Sequence, residues 1–408
     1  MRWPTAALLL TSVAVSACGS GHDQPAGRIA GRTLSIYVGV PQQGASAAAG
    51  ASIVNGARLA LAAIHARIGR YRVVLKQLNE TTPTRGGWDP GQTSDDVRDV
   101  VADPTTIGYL GDPDSGASAI TIPVLNRVGI AQVSPTATAV GLTSAGSGAA
   151  PGEPDKYYPT GARNFVRVAP SDAVQAAVQV SLQRQAGCRS TYVVDDGEVD
   201  GEDMTTSFEL AARAAGLQVV GTQQYDPRAT DYRALAASIA NAGADCVLIA
   251  AIADSNAVAI TSQLAAGPHA VRLFGSAGLA DSTYARGLPP ALNRRIVITS
   301  PGLGASAYPA DGQAVLAAYA RRYGRPEPQA ILGYEAMSLL LSAITSATDH
   351  GHAVAERSKV VRALLETRAR RSVLGTYAID SDGDTTSGRF GVWTISSGQL
   401  RFVAAVDG

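Results

Sequence analysis

The stretch TTIGYLGDPDSGASAITIPVLNRVGIAQVSPTAT, residues 105–138, decides the fold. An apolar, β-branched run (TTIGYLGD) leads through a Gly/Pro/Asp turn into a helical period (ASAITIPVLNRVG). A second short apolar run, IAQVSP, follows. Strand, helix and strand in this order make two parallel strands joined by a right-handed crossover. In open parallel sheets, ligands bind beyond the carboxyl ends of the strands, near helix N-termini. The two turns after these strands are therefore the candidate site. In the first, free amides at Ser115, Gly116 and Ala117 together with the Ser115 hydroxyl suit a carboxylate. The plain structural alternative is a helix N-cap by Asp114 or Ser115. In the second, the hydroxyls and amides of Ser134-Pro135-Thr136-Ala137-Thr138 suit a polar head group or cap the next segment.

The same alternation extends both ways. Upstream lie the strand TLSIYVGV (33–40), a helix with apolar positions Ile53, Ala57, Leu61, Ile64 and Ile68, the strand YRVVLKQL and the helix DDVRDVVAD. Downstream, a Gly/Pro/Ser-rich stretch from Gly141 to Pro159 reads as an exposed loop. A second series begins at FVRVAP (165–170), with helices expected at 171–186, 202–215 and 255–266 between the runs STYVVDD, LQVVGTQQY, VLIAAI, VRLFGS and RRIVITSP. Three helices are expected near 311–323, 329–347 and 356–369. The tail TYAID, RFGVWTI and QLRFVAAV reads as antiparallel strands. The fold class is α/β: two doubly wound parallel-sheet lobes joined by a three-crossover hinge. Lobe one is expected at 33–168 and 301–372 and lobe two at 169–300 and 373–408, with crossings near Ala169, Pro301 and Gly375.

Composition narrows the function. The 408 residues are 46% hydrophobic, enough for two cores, and 34 basic side chains balance 34 acidic ones. A neutral chain with 5% aromatics carries neither the charge nor the stacking platforms of a nucleic-acid binder. Arg2 followed by an apolar run from Ala6 to Val15 reads as an export signal too short to span a bilayer. It ends at Val15-Ser16-Ala17-Cys18, which resembles a bacterial lipobox; the resemblance implies acylation of Cys18 and anchoring in the lipid membrane. An ordinary cleaved signal is the alternative. Residues 19–32 read as a flexible tether. The other cysteines, Cys188 and Cys246, each open a strand-like run, and both a disulfide and two inert buried thiols fit that placement.

Taken together, the helix NGARLAL, the turn GDPDSGAS, SPTAT followed by Leu142-Thr143, FVRVAPSD, AARAAGLQVV with TDYRAL, GYEAMSLLLSAI and GTYAIDSDGD resemble the type I periplasmic binding proteins of branched-chain amino acid ABC transporters. The resemblance covers nearly the whole chain beyond the tether. It implies a non-enzymatic solute-binding protein, exported and either lipid-anchored at the outer face of the bacterial cytoplasmic membrane or periplasmic. Its partners would be an amino-acid-like or amide-like small molecule and an ABC permease. By the resemblance, Ser115 binds the ligand's α-carboxylate through hydroxyl and amide. Thr138 contacts the same head group, Thr136 offers a backbone carbonyl to the ammonium, Tyr334 lines the cleft and Gly44 walls it.

Two positions depart from the family. Asp200 stands where a lid tyrosine is usual, and Ala277 where leucine binders carry an ammonium-binding glutamate, with Asp281 nearby. Asp112, Asp114, Asp195, Asp196 and Asp200 could all flank the cleft, pointing to an amine-bearing solute or to solvated loops. No cofactor is implied, nor a metal. DSDGDTTSGRF (380–390) has its glycine at the wrong place for a calcium loop, and His350-Gly351-His352 has no third ligand. The rival readings are a sensor of the same fold regulating a membrane partner, a hydrolase using Ser115 with Asp114, and a degenerate lipoprotein without transport function.

Overall fold

The β-branched runs form strands and the helical periods form the layers that cover them, as seen in a computed structural model whose described residues are 27–146, 148–268 and 270–408. The expected signal, its Cys18 and residues 19–26 of the tether lie outside the described residues. Residues 27–32 are not tether: Ile29 is buried and donates its amide to the Ala355 carbonyl at 2.9 Å.

In chain order the first half runs β1 (Thr33–Val40), α1 (Ala47–Ala63), β2 (Arg67–Ile68), β3 (Tyr71–Asn79), α2 (Pro90–Ala102), β4 (Thr106–Leu110), α3 (Ser115–Arg127), β5 (Ala131–Ser134) and β6 (Phe165–Arg167). The second series is α4 (Asp172–Gln185), β7 (Ser190–Asp195), α5 (Val199–Ala215), β8 (Gln218–Gln224), α6 (Arg233–Asn241), β9 (Cys246–Ala250), α7 (Ala257–Ala265), β10 (Arg272–Gly275), α8 (Ser282–Gly287) and β11 (Ile296–Ser300). The remainder is α9 (Ala310–Tyr323), α10 (Ala330–Ala347), α11 (Arg357–Leu365), β12 (Arg370–Ser372), β13 (Gly375–Tyr377), β14 (Arg389–Ser396) and β15 (Gln399–Asp407).

One sheet has the order β2-β3-β1-β4-β5-β6 and the other β15-β14-β11-β10-β9-β7-β8. Strands β3, β1, β4, β5 and β6 are mutually parallel, as are β8, β7, β9, β10 and β11. In each sheet the chain reverses its direction of travel at one point, between β1 and β4 and between β7 and β9. Crevices open there because consecutive crossovers leave on opposite faces. The first core gathers Ile36, Val38 and Leu110 under Leu332, Met337 and Leu340 of α10. Helix α10 is long and apolar enough to cross a membrane, yet two thirds of it is buried here as a core helix. Its approach to α1 is close enough that a Cβ at Gly56 would stand 2.1 Å from the Ala330 carbonyl oxygen, so only glycine fits.

Several boundaries differ from expectation. Helix α1 stops at Ala63 because His65 and Ala66 take positive φ (51° each), and Ile68 joins a short strand. The stretch 141–159 is not uniformly exposed: Leu142, Tyr157 and Tyr158 are buried against Ile122 and Phe165. TYAID does not join the antiparallel tail; β13 pairs with β12, and only β14 and β15 extend the second sheet. The crossing expected near Gly375 falls later. Val373, Tyr377 and Ile379 are buried in the first core, and Tyr377 donates to Glu335 Oε1 at 2.8 Å, so the chain leaves this lobe only beyond Ile379. There Asp380 accepts the amides of Asp382, Gly383 and Asp384 and closes a tight turn.

Cys188 and Cys246 form a disulfide, with Cα atoms 6.0 Å apart. Of the two readings open from sequence, this resolves the choice. The bond lies at the amino ends of β7 and β9, opposite the crevice. It closes a loop of 58 residues, which in the chain-entropy account stabilises the fold by about 4 kcal/mol. Replacing both cysteines by serine should lower the denaturant midpoint substantially while leaving solute affinity unchanged. A shift in affinity as large as the shift in stability would contradict this placement.

Candidate functional site

The two crevices face each other across a cavity of about 70 Å³. The first lobe contributes residues beyond β1 (Pro41, Ser46), beyond β4 (Pro113, Asp114) and beyond β5 (Thr136, Thr138). The second contributes Asp200 from the start of α5, Ile252 beyond β9, and Ser276 and Ala277 beyond β10. Asp172, at the first turn of α4, lies just past the first crossing. Asp281 and Gln329 complete the wall.

Ser115 opens α3 and is fully buried. Its amide donates to Asp200 Oδ2 at 3.0 Å and its hydroxyl to Asp200 Oδ1 at 2.5 Å. The same hydroxyl oxygen accepts the amides of Thr138 (3.2 Å) and Ala139 (3.1 Å), which couples the two turns. Ser115 thus holds a carboxylate through amide and hydroxyl, and that carboxylate is a side chain of the opposite lobe. Two more second-lobe aspartates repeat the pattern. Asp203 accepts the Val140 amide at 3.0 Å, and Asp254 Oδ1 accepts the amides of Ala45 and of Ser46 (3.0 Å). Gly44 makes the last contact feasible: its φ is +79°, and a Cβ there would meet Asp254 Oδ1 at 2.7 Å. At the rim, Arg85 pairs with Glu198 at 2.7 Å.

The cavity is acidic. Asp114, Asp172, Asp200 and Asp281 line it, and among the described lining residues none is a lysine, arginine or histidine. Asp281 Oδ1 caps α8 through the Thr283 and Tyr284 amides, leaving Oδ2 without a partner. Asp172 Oδ2 and Gln329 Oε1 are likewise without hydrogen-bond partners among the described residues. Asp172 and Asp281 are each only 2% exposed. Arg167 sits behind the Thr138 turn, but its guanidinium is held by Asp384 at 2.7 Å and by the Ala139 carbonyl.

Burial without a counter-ion raises these acids. Desolvation pushes Asp114 well above its ordinary range, helped by the charges of Asp200 and Asp254. Asp172 is also pushed well up, by desolvation and then by Asp203 and Asp200. Desolvation carries Asp200 to about 6 although the two Ser115 bonds oppose it. Asp203 is raised to about 7 against the Val140 bond, and Asp281 to about 6 with the help of Glu327.

Of the residues singled out in the sequence, Ser115, Thr136, Thr138 and Asp200 meet at the interlobe contact. Thr136 donates its hydroxyl to the Pro113 carbonyl at 2.9 Å. Gly116 faces the Trp88 ring and Val199, not the cavity. Tyr334 is a correction: it lies between α1 and α10 beside Ala60 and Ser338, on a separate surface groove, because its face of α10 turns away from the crevice. Among the flanking acids, Asp114 and Asp200 reach the cavity. Asp112 is buried beneath it, bound by Tyr109 and Thr121, and Asp195 and Asp196 are held by the amides of Gly197 and of Ile252 and Glu198. Asp172 and Gln329 escaped sequence reading. The signal for Asp172 was its place at a helix start immediately after a crossing strand.

A family model described as periplasmic binding protein matches residues 34–399. The chain is 25% identical over 373 residues to the Leu/Ile/Val-binding protein homolog 3 of Brucella melitensis, covering 90% of this chain and 92% of that one. Its fold resembles a leucine-binding protein LivK of Thermotoga maritima, with TM-score 0.78, 18% identity, and 92% and 99% of the two chains covered. It also resembles the branched-chain amino acid transporter substrate-binding protein LivJ of Streptococcus pneumoniae in complex with isoleucine, with TM-score 0.76, 18% identity, and 92% and 100% covered.

The raised acids set a pH dependence. A carboxyl whose pKa is higher in the folded protein than in the unfolded chain stabilises the fold below its unfolded value, and that contribution is lost as pH rises through the folded value. The loss runs from about pH 4 to about 7 for Asp203 and from about pH 4 to about 6 for Asp281. The ligand-free protein should therefore melt at a lower temperature near pH 8 than near pH 5. Each of the two acids contributes about 1 kcal/mol or more to that difference. A melting temperature rising across that interval would contradict the buried acidic cavity.

Proposed function

The chain belongs to the periplasmic binding protein family, and from that premise we propose that it is the lipid-anchored, solute-binding subunit of an ABC importer. It is a solute-binding protein and not an enzyme, and its family works outside the cytoplasm. The proposed solute is small and bears an amine or amide, whether amino-acid-like or amide-like. It enters the cleft while the lobes are apart, and hinge closure buries it. A permease that recognises only the closed form then reads occupancy, because the solute shifts the population toward closure by its extra contacts there.

The observation that carries this reading is the cavity at the meeting of both switch points, walled by acceptor atoms that have no partner within the described chain. A buried acceptor without a donor is costly. An N–H-bearing solute removes that cost at Asp172, Asp281 and Gln329 together.

A thermal-shift screen of amines, amides, amino acids and aromatic acids tests it. At least one amine- or amide-bearing solute should raise the melting temperature in proportion to the logarithm of its excess over Kd. Asp172→Asn should weaken that response by about tenfold, as expected for loss of one charge-assisted contact. Silence across the screen would contradict the reading. The anchor is tested separately: the cell-bound protein should carry acyl groups on Cys18, and Cys18→Ser should move it to the soluble fraction. An unmodified Cys18 in the cell-bound protein would contradict lipid anchoring.

A further inference from the structure

We propose that this cleft selects a compact organic cation lacking a carboxylate, and that Asp200 occupies the place where the carboxylate of an amino acid would otherwise be held. The proposal rests on the solute-binding reading above and narrows it to one chemical class.

The geometry leaves little choice. Both donors of Ser115, amide and hydroxyl, are spent on Asp200, and the amides of Thr138 and Ala139 are spent on the Ser115 hydroxyl oxygen. An incoming carboxylate would have to displace Asp200 from both Ser115 donors and would face that carboxylate at close range. Three other lining donors are engaged: Thr136 with the Pro113 carbonyl, Ser276 with the Ala251 carbonyl and the Gln329 amide with the Ala280 carbonyl. What the closed cavity offers is an excess of acceptors. Asp172 Oδ2 and Asp281 Oδ2 have no partner among the described residues, and both side chains are 98% removed from solvent. Asp172 comes from the start of α4 and Asp281 from the start of α8, so the two acids approach from different elements.

The guanidinium groups of Arg167 and Arg85 are committed elsewhere, to Asp384 and to Glu198. An ammonium or amidinium, which carries donors only and a positive charge, complements this wall. Ile53, Met204 and Ile252 supply apolar surface for its carbon skeleton. The cavity of about 70 Å³ holds several waters' worth of space and so sets a small size.

Titration calorimetry on matched pairs tests this directly: 3-methylbutylamine against leucine, and 1,4-diaminobutane against ornithine, each pair differing only by an α-carboxylate. In at least one pair the wild-type protein should bind the amine about tenfold or more tightly than the amino acid, since like charges brought together in a desolvated site are strongly unfavourable. Asp200→Ala should shrink that preference by raising affinity for the amino acid, a gain that a merely destabilised fold would not produce. Should the variant not fold, the wild-type comparison decides alone. Leucine and ornithine each binding wild type as tightly as its amine would overturn the proposal. So would binding of only neutral amides, aromatic acids or Ca²⁺. Those outcomes would leave the broader solute-binding reading standing, whereas no binding by any probe would remove both.

Discussion

Everything distinctive in this molecule depends on one contact across the cleft: the Asp200 carboxylate received by the amide and hydroxyl of Ser115. The N-terminus of α3 is built to hold an anion, with unsatisfied amides and the positive end of a helix dipole turned toward the opposite lobe. In this structure the protein's own carboxylate, from the opposite lobe, satisfies it. Asp203 on Val140 and Asp254 on Ala45 and Ser46 do the same at neighbouring points, so at three places lobe two meets lobe one as acid against backbone amide. Such bonds are directional and charge-assisted, and they fix the register of closure.

The same design creates a problem that function can exploit. Bringing Asp114, Asp172, Asp200 and Asp281 around one cavity removes water from four carboxyls and offers them no cationic lining residue among those described. Desolvation and mutual repulsion then favour protonation, which is the direction of every shift seen there. Protons neutralise these acids, and under the proposal above a cationic solute would do the same.

Much of this was legible in the sequence. Alternating β-branched runs and helical periods specify parallel sheets, and parallel sheets specify where a crevice opens, so Ser115 and the Thr136–Thr138 turn could be named before any coordinates. Local chemistry leaves the turn from Asp112 to Ser118 open between an anion cradle and a helix N-cap. Its occupant was not legible, because Asp200 lies 85 residues away and reaches Ser115 only through the relative placement of two lobes. Tyr334 was misplaced for a related reason: helix α10 is apolar on nearly every face, so its pattern does not say which side meets the crevice. The third crossing was set too early because Tyr377 and Ile379 look like strand residues of either lobe. Only their burial around Glu335 decides between them.

A double-mutant cycle on Ser115→Ala and Asp200→Asn, followed by denaturant unfolding, tests the central contact most directly. If Asp200 closes onto Ser115 in the free protein, the two substitutions should be coupled by about 1–3 kcal/mol, the range for hydrogen bonds to a charged group. Effects that simply add, to within about 0.5 kcal/mol, would mean that the two residues do not meet and that the cradle stands open to a carboxylate.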